Sequence, residues 1–144
     1  MNDKPAGAAA GLFSLLHAAG AAQTFVESRL DAVGLSLAKL AALSALRDAG
    51  ESLPLSQLAA RLSCVKSNVT QLVDRLEADG LVARKPDPTD RRTRLAVMTT
   101  AGRKACKDGL RIQQQTERDL FGGLTPREAS QLAALMGKLE PKAG

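Results

Sequence analysis

The sequence predicts a mainly α-helical protein carrying one small β-hairpin, and three observations lead there. Of 144 residues 44% are hydrophobic, mostly Ala and Leu, while aromatics are 2% with neither Trp nor Tyr, a balance that favours helices over sheets. Apolar residues recur at spacings of three and four through six segments. Between the fourth and fifth of these, Leu81–Lys85 and Arg94–Met98 are β-prone runs on either side of a connection rich in Pro and Asp. The length suits a single domain with a real core.

Pro5 to Val26 contains no charged residue, so a membrane span or a signal peptide has to be weighed. The run is mostly Ala and Gly, interrupted by Ser14, His17, Gln23 and Thr24, and falls short of a spanning helix. Ala19-Gly20-Ala21 could pass for a cleavage site, but Leu12, Leu15, Leu16, Ala19, Val26, Leu30 and Val33 continue one stripe straight through it. A long amphipathic helix from about Ala8 to Ala32 is the simpler reading. Gly34 ends it, Ser36 can cap a second helix carrying Leu37, Leu40, Leu43 and Leu46, and Gly50 stops that one. Ser52-Leu53-Pro54 has room only for an edge strand, expected to pair with the hairpin.

Leu55, Leu58, Ala59 and Leu62 mark a short third helix, followed by a turn at Ser63-Cys64-Val65. The next helix is expected from Lys66 to Asp79, burying Val65, Val69, Leu72, Val73 and Leu76. Its opposite face carries Ser67, Gln71, Asp74 and Ala78, with Thr70 and Arg75 at the edges. Short hydrogen-bonding side chains beside a cation are the types that read base edges in a major groove. Gly80 ends the helix. The connection Pro86 to Thr93 is expected to be a turn, its tip holding Arg91 and Arg92 with Arg94 just beyond, able to enter a minor groove or lie on phosphates.

Thr99 or Thr100 can cap a fifth helix whose weak stripe runs Ala101, Ala105, Gly109, Ile112, Thr116 and Leu120 to Gly122-Gly123. Thr125-Pro126-Arg127-Glu128 is a capping box with Pro at the first helical position. The last helix then carries Ala129, Leu132, Leu135, Met136 and Leu139.

Net charge is +5, and its placement says more than its size. Ser56 to Arg111 holds 12 Lys and Arg against 6 Asp and Glu, so the surplus coincides with the helix pair and hairpin, as an electrostatic footprint on nucleic acid would. A solvated basic surface is the bland alternative. Cys64 and Cys106 with one His make neither a disulfide framework nor a metal site, which points to a reduced, cytoplasmic protein without metal or other cofactor. Cys64 lies just before a helix start, where backbone amides could lower a thiol pKa; a buried filler role is the competing reading, and the stronger one for Cys106. No Gly-rich phosphate loop or nucleophile pattern accompanies His17, Asp87 or Asp90, so an enzyme is not expected; His17 reads as a packing or interface residue, or one near an effector pocket.

Four motifs in order resemble the MarR family of winged helix-turn-helix transcriptional regulators. They are Leu58-Ala59-Ala60-Arg61-Leu62, the run Ser67 to Val82, the Asp90-Arg91-Arg92 wing and the closing Met98-Thr99-Thr100-Ala101-Gly102. The resemblance departs near Ala41 or Ala42, where the family commonly has a larger residue that shapes a ligand pocket. It implies one domain over 1–144, with a winged helix-turn-helix lobe at 35–99 and dimerisation helices at 8–33 and 100–140. It further implies a homodimer that binds a near-palindromic duplex operator, as a repressor, relieved by a small phenolic or lipophilic acid or by an oxidant. On that scheme Lys66, Arg75, Arg84 and Lys85 hold phosphates, Ser67, Asn68, Thr70 and Gln71 read bases, and Arg91, Arg92 and Arg94 work at the wing. Asp90 is expected both to stabilise the wing turn and to orient the second arginine. A winged-helix protein-interaction module is the alternative, though such a module would expose apolar anchors.

Overall fold

The computed structural model describes residues 7–62 and 68–140. The elements run α1 (Gly7–Asp31), α2 (Leu37–Asp48), β1 (Ser52–Pro54), α3 (Leu55–Arg61), α4 (Val69–Ala78), β2 (Val82–Asp87), β3 (Asp90–Met98), α5 (Thr100–Phe121) and α6 (Pro126–Leu139). Mostly helical, the chain carries one antiparallel sheet of order β1-β3-β2, and β1 pairs with β3 through Leu53↔Ala96, as an edge strand.

Helix α2 lies at the centre. Its Leu40, Ala42, Leu43 and Leu46 are fully or almost fully buried among Leu58, Leu72, Val73, Leu76, Val82, Ala96 and Cys106. Ser36 Oγ caps it by accepting from the Lys39 N–H at 3.1 Å, and Glu27 Oε1 from α1 accepts the Leu37 N–H at 2.8 Å. Two acceptors at one helix start satisfy orphan amides and oppose the positive end of the dipole.

Helix α5 packs on α1, α2 and β3. Thr99 caps it, and its buried line is Gly102, Cys106, Gly109 and Thr116. The expected stripe is therefore rotated at its start: Ala101 faces solvent and Gly102 faces inward. The reason is a close approach, since a Cβ on Gly102 would collide with the Leu81 carbonyl oxygen at the end of the α4–β2 turn.

The first half of α1 and the whole of α6 are left uncovered by the described residues. Leu30 of α1 is fully buried, yet Leu12, Phe13, Leu15 and Leu16 are exposed. No residue of α6 is buried, despite the capping box formed by Thr125 and Glu128, and Leu139 is 61% exposed. No helix of the described residues is long and apolar enough to cross a membrane.

Candidate nucleic-acid interface

Helix α4 sets out the first arm. It starts at Val69, not at the expected Lys66, because Asn68 is its N-cap: the extended Asn68 accepts the Gln71 N–H through Oδ1 at 3.2 Å. That fixes Asn68 as a helix-capping group, which commits its Oδ1 to the helix start and leaves its amide NH2 without a hydrogen-bond partner among the described residues. Lys66, Ser67 and Cys64 lie outside the described residues, as does the turn that precedes the helix. Leu72, Val73 and Leu76 are buried, and Thr70, Gln71, Asp74 and Arg75 are exposed, so the helix has the two faces that its spacing requires.

The acids on this exposed face are neutralised by the protein itself. Arg84 of β2 pairs with Asp74 at 2.7 Å and with Glu77 at 2.9 Å, and also donates to the Thr70 carbonyl at 3.3 Å. Its backbone N–H adds a bond to Glu77 Oε2 at 3.3 Å. The Asp74 hydrogen bond, then that of Glu77, raise the guanidinium pKa above its already high value. Arg84, expected on phosphates, is thus engaged within the chain. The alternation of a strand explains why: Arg84 shares a face with buried Val82 and so turns toward α4. That periodicity was the available signal. At the other end of the helix, Lys39 from α2 holds Asp79 at 2.8 Å. Among the described residues, Arg75, Lys85, Arg91, Arg92 and Arg94 have no carboxylate within ion-pair distance.

The hairpin, the second arm, is longer than expected. The strands run through Pro86 and Asp87 on one side and back to Asp90 on the other, leaving only Pro88 and Thr89 as the turn. Pro86 is tolerated because β2 is an edge strand. Asp87 Oδ1 accepts both the Thr89 N–H and the Thr89 hydroxyl at 2.9 Å, bonds that hold its carboxyl below the usual carboxylate range.

The pairing steps from Pro86↔Arg94 to Asp87↔Asp90, so Arg91, Arg92 and Thr93 have no opposite residue in β2. The two arginines expected at the tip sit instead in a bulge on β3, a device that re-aims side chains out of a ladder. Asp90 holds that bulge, accepting the Arg92 N–H and the Thr93 hydroxyl, each at 3.0 Å. It fixes the backbone of Arg92, and the expected contact to the Arg92 guanidinium is not made: the two Asp90 oxygens bind the Arg92 N–H and the Thr93 hydroxyl.

Among the described residues no three potential metal ligands come together. Cys106 is buried, and its thiol pKa is raised by that burial.

Comparison with known proteins agrees with this geometry. A family model described as MarR family matches residues 33–93. The HTH-type transcriptional regulator YcgE of Bacillus subtilis is 34% identical over 114 residues, covering 79% of this chain and 73% of its own. The multiple antibiotic resistance protein MarR of Escherichia coli is 30% identical over 113 residues, 78% of each chain. The solved structure of Bordetella bronchiseptica BpsR, whose DNA binding is regulated by 6-hydroxynicotinic acid, superposes with a TM-score of 0.81 at 26% identity over the whole of both chains. A helix pair with an exposed polar face, a wing bulged at two arginines and relatives of this kind lead to one assignment: the chain belongs to the MarR family of winged helix-turn-helix transcriptional regulators.

Proposed function

We propose that this protein binds duplex DNA sequence-specifically as a homodimer and regulates transcription, as a repressor at a near-palindromic operator. One observation carries the reading: the acids at α4 are neutralised from inside by Arg84 and Lys39, while the cations beside them have no carboxylate partner among the described residues. A polyanion approaching this face meets hydrogen-bonding side chains and positive charge, with the repulsive carboxylates already satisfied. Gln71 and Thr70 read bases, Arg75 and Lys85 hold phosphates, and the bulge presents Arg91 and Arg92 alongside. Lys66 and Ser67 keep the roles that the sequence assigns them. Arg84 is reassigned from phosphate contact to fixing the wing against α4.

Two copies place two α4 helices about one DNA turn, roughly 34 Å, apart. The apolar faces of α1 and α6 supply the subunit contact, with α5 between the two lobes. A small-molecule signal fits better than oxidation at Cys106, since a buried thiol with a raised pKa yields little thiolate.

The test is a titration of purified protein on duplexes from the DNA flanking its own gene, against scrambled duplexes of the same composition. Specific binding tighter by at least about 10³ is expected at physiological salt. Equal affinity for both would overturn sequence-specific recognition and return weight to a protein-interaction module.

A further inference from the structure

The residue that starts α5 also holds the end of α4. Helix α4 closes in a left-handed turn, in which the Gly80 N–H donates to the Glu77 carbonyl at 3.0 Å and the Leu81 N–H to the Leu76 carbonyl at 2.9 Å, with Gly80 at φ 77°. The turn spends its N–H groups on the helix and has two carbonyls left, those of Gly80 and Leu81. Thr99 takes both. Its hydroxyl donates to the Gly80 carbonyl at 2.6 Å, and its N–H donates to the Leu81 carbonyl at 3.1 Å.

The same hydroxyl accepts the Gly102 N–H at 3.0 Å, the bond that caps α5. A hydroxyl has one proton to give; here the proton goes to the α4 turn and a lone pair to the α5 start. Gly102, whose missing side chain lets α5 lie against the Leu81 carbonyl, closes the same joint.

A cap alone does not call for this residue. Capping needs only an acceptor oxygen, and Asp, Asn and Ser all cap better than Thr. What Thr99 adds is a donor, on a β-branched side chain with few rotamers, and the donor is spent on α4.

We propose that Thr99 is a positioning residue for DNA recognition: it fixes the angle between α4 and α5, and so selects the distance between the two half-sites. The inference rests on the proposed dimer on DNA, in which α5 leads from each α4 toward the partner. Each added base pair moves one half-site by about 3.4 Å and turns it by roughly 34° about the DNA axis. A joint that holds its angle rejects that change. Without the hydroxyl proton the α4 turn keeps only the Thr99 N–H and packing against α5, the two helices can rock, and neighbouring spacings are accepted.

The test is a titration of the full chain on its preferred duplex and on versions with one or two base pairs inserted or removed between the half-sites. Each variant is compared with itself across spacings, so a uniform change in affinity cancels. Wild type and Thr99→Ser, which keeps donor and acceptor, are expected to bind about tenfold or more weakly when the spacing changes by two base pairs. Thr99→Asp keeps a good cap and loses the donor, and its loss is expected to stay below about threefold. Thr99→Ala, which lacks both, should match the acid. Circular dichroism and sedimentation establish that each variant is a folded dimer.

A spacing profile as sharp as wild type in Thr99→Asp, or a flat one in Thr99→Ser, overturns the proposal. Should the acid fail to fold, Thr99→Ala decides: a flat profile supports the joint and a sharp one overturns it. A wild type with no preferred spacing overturns the dimer reading and this inference with it, whereas sharp profiles in both wild type and Thr99→Asp remove the inference alone.

Discussion

Three side chains at the candidate interface differ in what they can contribute. Gln71 gives its backbone N–H to Asn68 and keeps its carboxamide outward, where it can make a bidentate contact to adenine. Gln71→Ala should cost about 1–3 kcal/mol on the preferred site and little on scrambled DNA. Arg92 stands in the bulge without a carboxylate partner among the described residues, so Arg92→Ala should weaken binding to most sequences. It should also lower the slope of log K against log salt by about 0.9 for each phosphate no longer neutralised. Arg84 makes the contrast. With its guanidinium on Asp74 and Glu77, Arg84→Ala bares two acids beside the DNA and weakens binding, yet releases no counterion of its own, so the salt slope should hold. Titrations of the three variants on both duplexes at several salt concentrations check this. A drop in slope for Arg84→Ala matching that of Arg92→Ala would place Arg84 on phosphate.

At the scale of elements, α5 depends on a residue with no side chain. Gly102 has the Leu81 carbonyl oxygen and, at 2.9 Å, Met98 Cγ where its Cβ would be. Gly→Ala in an open helix interior gains up to about 1 kcal/mol, whereas Gly102→Ala should lose about 1–3 kcal/mol, because the backbone of the α4–β2 turn cannot step aside. Denaturant unfolding of the variant gives the sign directly; an unchanged or raised midpoint would mean that the turn yields. This contact also shows where sequence reading runs out. Ser36, Gly80 and the Thr125–Glu128 box were legible because their partners lie within four residues. The inward face of α5 was not, since Ala101 and Gly102 differ by too little hydrophobicity to orient a helix whose seat is a backbone far along the chain. The hairpin hid its strand length for a similar reason: Pro86 reads as a turn residue until β2 is known to be an edge. Likewise Asn68 matches a base-reading helix in the sequence, and only its extended backbone reveals a cap.

For the whole molecule, the largest imbalance is apolar surface. Phe13 is 69% exposed and Leu135 56%, on the first half of α1 and on α6, which none of the other described residues bury. A stable dimer is expected by sedimentation at micromolar concentration, and a monomer with DNA binding intact would remove the subunit contact proposed through α1 and α6. Helix α5 joins the two ends of the protein. Its first half is seated on the wing and α2, and near its far end Arg29 of α1 pairs with Asp119 at 2.6 Å. Over 22 residues it is a rigid arm about 33 Å long. A tilt of about 5° at the far end swings the near end by roughly 3 Å, close to the rise of about 3.4 Å between base pairs. In the proposed dimer, a small angular change at the subunit contact would be geared into a shift of about one base-pair step, enough to take the two α4 helices out of phase with their half-sites.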